Sequence, residues 1–157
     1  MAYLLQPLLR IRTMREDRAS AELSAARQAV RQAEQTLEER KAELLDFENT
    51  KDERRDRIYN AVIGHSVSRD ELDLALEGVA RLDEEGALKA DNVALAQAEL
   101  RKKEESAENA RNNFVKASKE RMKISEHKAM WLAEEAKEQE ERAEGELEDF
   151  TVRKEEI

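Results

Sequence analysis

The sequence predicts an all-α protein: an antiparallel two-helix coiled-coil hairpin with a short turn and an extended second helix. Two apolar seams and one turn signal carry this reading. Between Leu23 and Ala61, apolar residues recur at alternating steps of three and four (Leu23, Ala26, Val30, Ala33, Leu37, Leu44, Phe47, Ile58, Ala61), filling nine of twelve slots, with Arg40, Lys51 and Arg54 in the rest. A second run (Val93, Ala96, Leu100, Ala107, Ala110, Phe114, Ala117, Ile124, Trp131) also fills nine of twelve, with Lys103, Arg121 and Lys128 in the gaps. A narrow seam of this period buries itself only against another seam. Between the two lies Gly64-His65-Ser66-Val67-Ser68, a stop followed by a start.

The elements follow in order. Residues 1–20 open with a dense apolar group: Tyr3, Leu4, Leu5, Leu8, Leu9, Ile11 and Met14. Pro7 is tolerated in a first helical turn, where its missing N–H would be unpaired anyway, so helix 1 is expected over about 5–63. Leu4, Leu5, Leu8 and Leu9 wrap more than half of that helix, more than one partner helix covers. Gly64 suits a left-handed helix stop. Ser68 and Glu71 form a Ser-x-x-Glu capping box, and Val67 is placed to staple onto Leu72. Helix 2 is therefore expected over about 69–154, with a possible break near 78–86, because Gly78 and Gly86 cost about 1 kcal/mol each in a helix interior.

Two pairings compete. A tight turn at 64–68 sets Phe47 near Gly86, Leu37 near Ala96 and Leu9 near Ile124, and leaves residues after about 130 overhanging. A long tip over 64–90 would set Leu23 against Trp131 and Leu8 against Leu147. Charge favours the long tip: residues 134–157 carry 4 basic and 11 acidic groups, against the arginines of helix 1. Exposed charge pairs contribute only about 0–1 kcal/mol. The capping box and the unbroken apolar phase from Leu72 through Val93 outweigh them, so the tight turn is preferred. Cationic side chains in the seams lay their stems along it and lift their charges to water, which predicts a stiff, marginally stable hairpin.

Composition narrows the function classes. The chain has 157 residues, 41% of them charged and 4% aromatic, which suits one coiled-coil domain (1–157) with a thin core and no deep pocket. Its formal charge is −9, with no basic stripe to hold a nucleic acid. There are no cysteines. The apolar opening lacks the basic region and cleavage site of a signal peptide, and no stretch approaches membrane-spanning length. A cytosolic protein without direct membrane insertion is expected. His65 and His127 lie on different elements and neither has a second ligand at helical spacing, so no metal or cofactor is expected. The carboxylates belong to solvated helix faces, so the chain reads as a non-enzyme.

Three features together resemble a known family: the opening PLLRIRTMREDRA (Pro7 to Ala19), the Gly64–Ser68 turn into a helix, and Trp131 followed by an acidic helix ending in Glu148-Asp149-Phe150. The chain resembles the YscO/SctO proteins of type III secretion, whose flagellar counterpart is FliJ. The resemblance covers nearly the whole chain. It implies a cytoplasmic stalk without catalytic activity, peripheral to the inner-membrane export apparatus. Such a stalk looks like the central shaft of rotary ATP synthases, enters the hexameric secretion ATPase ring, contacts the export gate, and in some members binds export chaperones. A monomer is expected.

A shaft needs a contact zone at each end of a stiff spacer. By this analogy the ATPase zone is the apolar cluster Leu4, Leu5, Leu8, Leu9 and Ile11 with Arg10, Arg12 and Arg15, together with Leu147 and Phe150. The export-gate zone is the hairpin tip: Ile58, Tyr59, Val62, Leu72, Leu76 and Val79, with Ile63 among them, too apolar for a bare turn. The rival reading is a generic coiled-coil scaffold or adaptor.

Overall fold

A computed structural model describes residues 2–156. Two helices account for nearly all of them: α1, Gln6–Asn60, and α2, Arg69–Glu155. This is the all-α helical hairpin that the paired seams predict.

Local chemistry sets the helix ends. Gln6 N donates to Tyr3 O (3.1 Å) and Leu9 N to Leu5 O (2.9 Å), so Pro7 falls in the first turn where its lost donor is harmless. At the other end α1 stops at Asn60, short of the expected Ile63. The backbone tightens there: Val62 N and Ile63 N both donate to Tyr59 O, at 3.0 and 2.8 Å. Gly64 follows with φ of 75°, the left-handed stop. A Cβ at Gly64 would meet nothing within 4 Å, so any penalty there is conformational rather than steric. Gly64→Ala is expected to cost about 1–2 kcal/mol in chemical denaturation, without loss of helix content.

α2 begins at Arg69, where Ser68 Oγ accepts the N–H of Glu71 at 3.2 Å. Acidic Asp70 and Glu71 open it and basic Arg153 and Lys154 close it, each complementing the helix dipole. The helix is unbroken through Gly78 and Gly86, so the expected alternative of a break near 78–86 does not form.

The pair divides into two compact units, one of residues 24–109 and one of residues up to 23 with residues from 110 onward. In the 24–109 unit, Ala33, Leu37, Phe47 and Leu82 are buried. Val93, Ala96, Leu100 and Ala107 of α2 are half-buried. A Cβ built on Gly86 would lie 2.8 Å from Phe47 Cε1, and one on Gly78 3.4 Å from Ile58 Cδ1. Both glycines therefore let a large α1 side chain sit against the α2 backbone, and the unit has the short-turn pairing. The charged slots are accommodated as expected of long cationic stems. Lys51 reaches Asp83 (3.0 Å) and Arg54 reaches Glu85 (3.1 Å) across the seam. Arg40 turns to Glu43 on its own helix at 3.2 Å. The Arg54 guanidinium also lies 5.7 Å from the Phe47 ring centroid, within cation–π range.

In the other unit, Tyr3, Ala19 and Leu23 are buried, and Ala110, Phe114, Ala117, Ile124 and Trp131 of α2 are half-buried. Tyr3 stacks at a tilt on Trp131, with ring centroids 5.2 Å apart. The long-tip alternative, which needs Trp131 at Leu23, is thereby ruled out. Charged side chains in this unit find partners locally. Arg12 Nη1 donates to Glu120 O at 2.9 Å, and Arg121 Nε donates to Glu16 Oε2 at 2.6 Å. Every residue from Ala136 to Glu156 is exposed. In neither unit is a described side chain completely buried, as a two-helix core dictates.

Candidate partner-binding surfaces

The 24–109 unit carries the first candidate surface at its turn. Ile58, Tyr59 and Val62 on the α1 side are half-buried, as are Ala75 and Val79 on α2. Ile58 seats on Gly78, and with Arg54, Arg57, Arg81, Leu82 and Glu85 they line a shallow cleft of about 370 Å³. Leu72 and Leu76 are exposed, together with Ile63 and Leu74. Of the residues expected at this surface, Ile58, Tyr59, Val62 and Val79 thus form a partly covered base, while Leu72 and Leu76 stand free. Leu74 adds apolar area that the expected set omitted, beside the expected and exposed Ile63. Leu74 lies off the seam phase of Leu72, Ala75 and Val79, so seam counting passes over it.

The second candidate surface lies in the other unit, and the structure divides the expected residues. Leu8, Leu9 and Arg12 are half-buried on the face that meets α2, with Arg12 held by Glu120. Arg10 and Arg15 are exposed, and Leu5 is exposed at the helix start. The face pointing away from α2 is a different stripe: Leu4 (92% exposed), Pro7, Ile11 (48%) and Met14 (69%), at steps of three, four and three. Arg10, Arg15 and Arg18 border or end it, all exposed. Leu147 and Phe150 are each 65% exposed and do not join this cluster. Tyr3 meets Trp131, and Leu147 lies further along α2 by about 24 Å at 1.5 Å per residue.

A three-ring cluster completes this unit. Tyr3 Oη and His127 Nδ1 share a hydrogen bond of 2.6 Å, and the two ring centroids lie 5.8 Å apart. With Ala2, Leu4, Leu5 and Trp131 they line an apolar cleft of about 480 Å³. The sequence carries no local signal for this contact, because the partner of His127 lies 124 residues away. The short pairing, carried on to the end of α1, is the one signal that would have set Tyr3 beside Trp131. Among the described residues, no group of three or more His, Cys, Asp or Glu side chains could hold a metal ion, and no helix is long and apolar enough to cross a membrane.

Comparison with known proteins adds a family to this geometry. The model of the type III secretion protein YscO matches residues 5–153, nearly the full hairpin. No curated protein matches the chain. Among solved structures, CT670 from Chlamydia trachomatis, described as a YscO homolog, is similar with a TM-score of 0.71 and 21% identity, covering 96% of this chain and 92% of that one. At that identity the likeness speaks for the fold, and it is the family model that speaks for kinship. Over both helices and the turn that joins them, the chain belongs to the YscO family of type III secretion proteins.

Proposed function

We propose that this chain is the non-enzymatic central-stalk component of a type III secretion export apparatus, linking the secretion ATPase ring to the export gate. One observation supports the reading above others: on a chain of the YscO family, each of the two units presents its own exposed apolar surface. A protein that joins two partners needs two such surfaces, since contiguous exposed apolar patches mark interaction sites.

The unit containing both ends of the chain is assigned to the ATPase hexamer, through Leu5, Arg10 and Arg15 with the outward stripe Leu4, Ile11 and Met14. Leu8, Leu9 and Arg12 support that zone from the α2-facing side, and Leu147 and Phe150 offer it a separate contact. The turn surface is assigned to the export gate, through Ile58, Tyr59, Val62, Leu72, Leu76 and Val79. Export chaperones are further candidate partners. The stalk acts in the cytoplasm, at the inner-membrane export apparatus, as a monomer.

Titrating this protein into the secretion ATPase from the same source tests the reading. ATP hydrolysis is expected to rise and to saturate near one copy per hexamer. Unchanged hydrolysis, at concentrations where the protein is folded, would favour the generic coiled-coil adaptor instead.

A further inference from the structure

The unit that holds both ends of the chain carries two uncovered stripes of opposite charge. One is the outward face of α1: Leu4, Pro7, Ile11 and Met14, with Arg10 and Arg15 beside it and Arg18 in its next slot. The other is the end of α2: Ala136, Ala143, Leu147 and Phe150, at steps of seven, four and three, with Glu140 in the skipped slot and Glu144 and Glu146 beside it. All of these residues are exposed. Each stripe has the spacing of a coiled-coil seam and lacks a second helix.

The two stripes cannot meet within one chain. α2 is continuous from Trp131, where Tyr3 stacks, to Glu155, so its acidic end leads away from the α1 stripe. A second copy has no such restriction. We infer that the acidic end of α2 in one copy packs on the arginine-bordered outward face of α1 in another, and that the exchange is reciprocal and closes as a two-fold dimer.

Register and charge argue for this occupant. A two-fold axis across the unit sets the α2 end of the second copy parallel to α1 of the first. In that direction Ile11 pairs with Leu147 and Met14 with Phe150 of the second copy. The same register sets Arg15 diagonally opposite Glu146, the position that decides partner choice in parallel coiled coils. Pro7 faces Ala143, so the smaller residue lies where the proline ring needs room. Arg18 faces Lys154, which limits the contact to the stretch before it. Two short helix–helix patches of this kind fall at the small end of stable interfaces, so the dimer is weak, reversible and salt-sensitive. It would hide the outward stripe. If the stalk assignment holds, the dimer is a resting form from which the ATPase ring must take its stalk. The dimer itself does not depend on that assignment.

The full chain has no cysteine, so Met14→Cys with Phe150→Cys introduces the only two. Mild oxidation of this double variant is expected to give a disulfide-linked dimer, and sedimentation of the wild type should show mass rising with concentration and falling with salt. Arg15→Glu should weaken association at least tenfold, and adding Glu146→Lys should restore it. Ile11→Ser with Met14→Ser should abolish it with helix content unchanged, because both side chains are exposed in the single copy. A wild type that stays monomeric at low salt and high concentration would overturn the inference. So would a cross-link closing within one chain, or a dimer indifferent to these substitutions.

Discussion

Phe47→Ala is expected to cost about 3–5 kcal/mol, measured by urea denaturation followed by circular dichroism. Phe47 is the most buried aromatic residue of the chain, at 5% exposure, and its ring lies against the backbone of α2 at Gly86. Alanine there removes the ring and leaves a gap that two helices cannot close by shifting locally, since each is tied to the other above and below. It also removes the face on which the Arg54 guanidinium rests. Gly86→Ala approaches the same contact from the other side. Its new Cβ would lie 2.8 Å from the ring, so the ring must move, although alanine is the better helix former by about 1 kcal/mol. The clash should prevail and Gly86→Ala should destabilise. Phe47→Leu, which shortens the opposing side chain, should turn the effect of Gly86→Ala favourable, and a double-mutant cycle measures this coupling directly. A loss below about 1 kcal/mol for Phe47→Ala would mean that the seam is not closed at this level.

The second large effect is expected at the turn. Tyr59→Ala with Leu76→Ala should abolish binding to the export gate protein and leave helix content unchanged. Leu76 is exposed and Tyr59 half-buried, so their truncation removes little of the packing that holds the helices together. Large anchors of this kind contribute roughly 2 kcal/mol each at an interface, or about 30-fold each in affinity. Calorimetric titration of wild type and double variant with the gate protein separates the outcomes. Unchanged affinity refutes the assignment of this surface, whereas lost helicity would show that Tyr59 belongs to the fold.

Most of the fold was legible because a coiled-coil seam is a one-dimensional code. All twelve slots of the second seam, from Val93 to Trp131, are half-buried, the three cationic ones included. The start of α2 at Arg69 followed from Ser68 and Glu71, because a cap is a local hydrogen-bonding requirement. Charge was the misleading signal. It favoured a long tip because summed charges ignore what an individual side chain can reach: Arg12 is satisfied by a backbone carbonyl and Arg121 by a single carboxylate.

The candidate surfaces were legible only in part. An apolar cluster near a helix start shows that something must be covered, but not which side α2 covers. That depends on the phase of α1, which turned Leu8 and Leu9 inward and left Ile11 and Met14 outside. The Tyr3–His127 contact has no local signature, since it exists only once the pairing is known.

The pairing of a large residue on α1 with a glycine on α2, at Phe47 and Gly86 and again at Ile58 and Gly78, bears on how such a chain diverges. The seam constrains the volume summed across the two helices at each level, not the residue on either side. A lineage could move the bulk from one helix to the other by compensating substitutions, level by level, without altering the pairing. Outside the seam, any helix-forming polar residue serves. Residue identity should therefore drift quickly in this architecture while slot spacing persists, and distant kin are better recognised by aligned rhythm and summed volume than by shared letters.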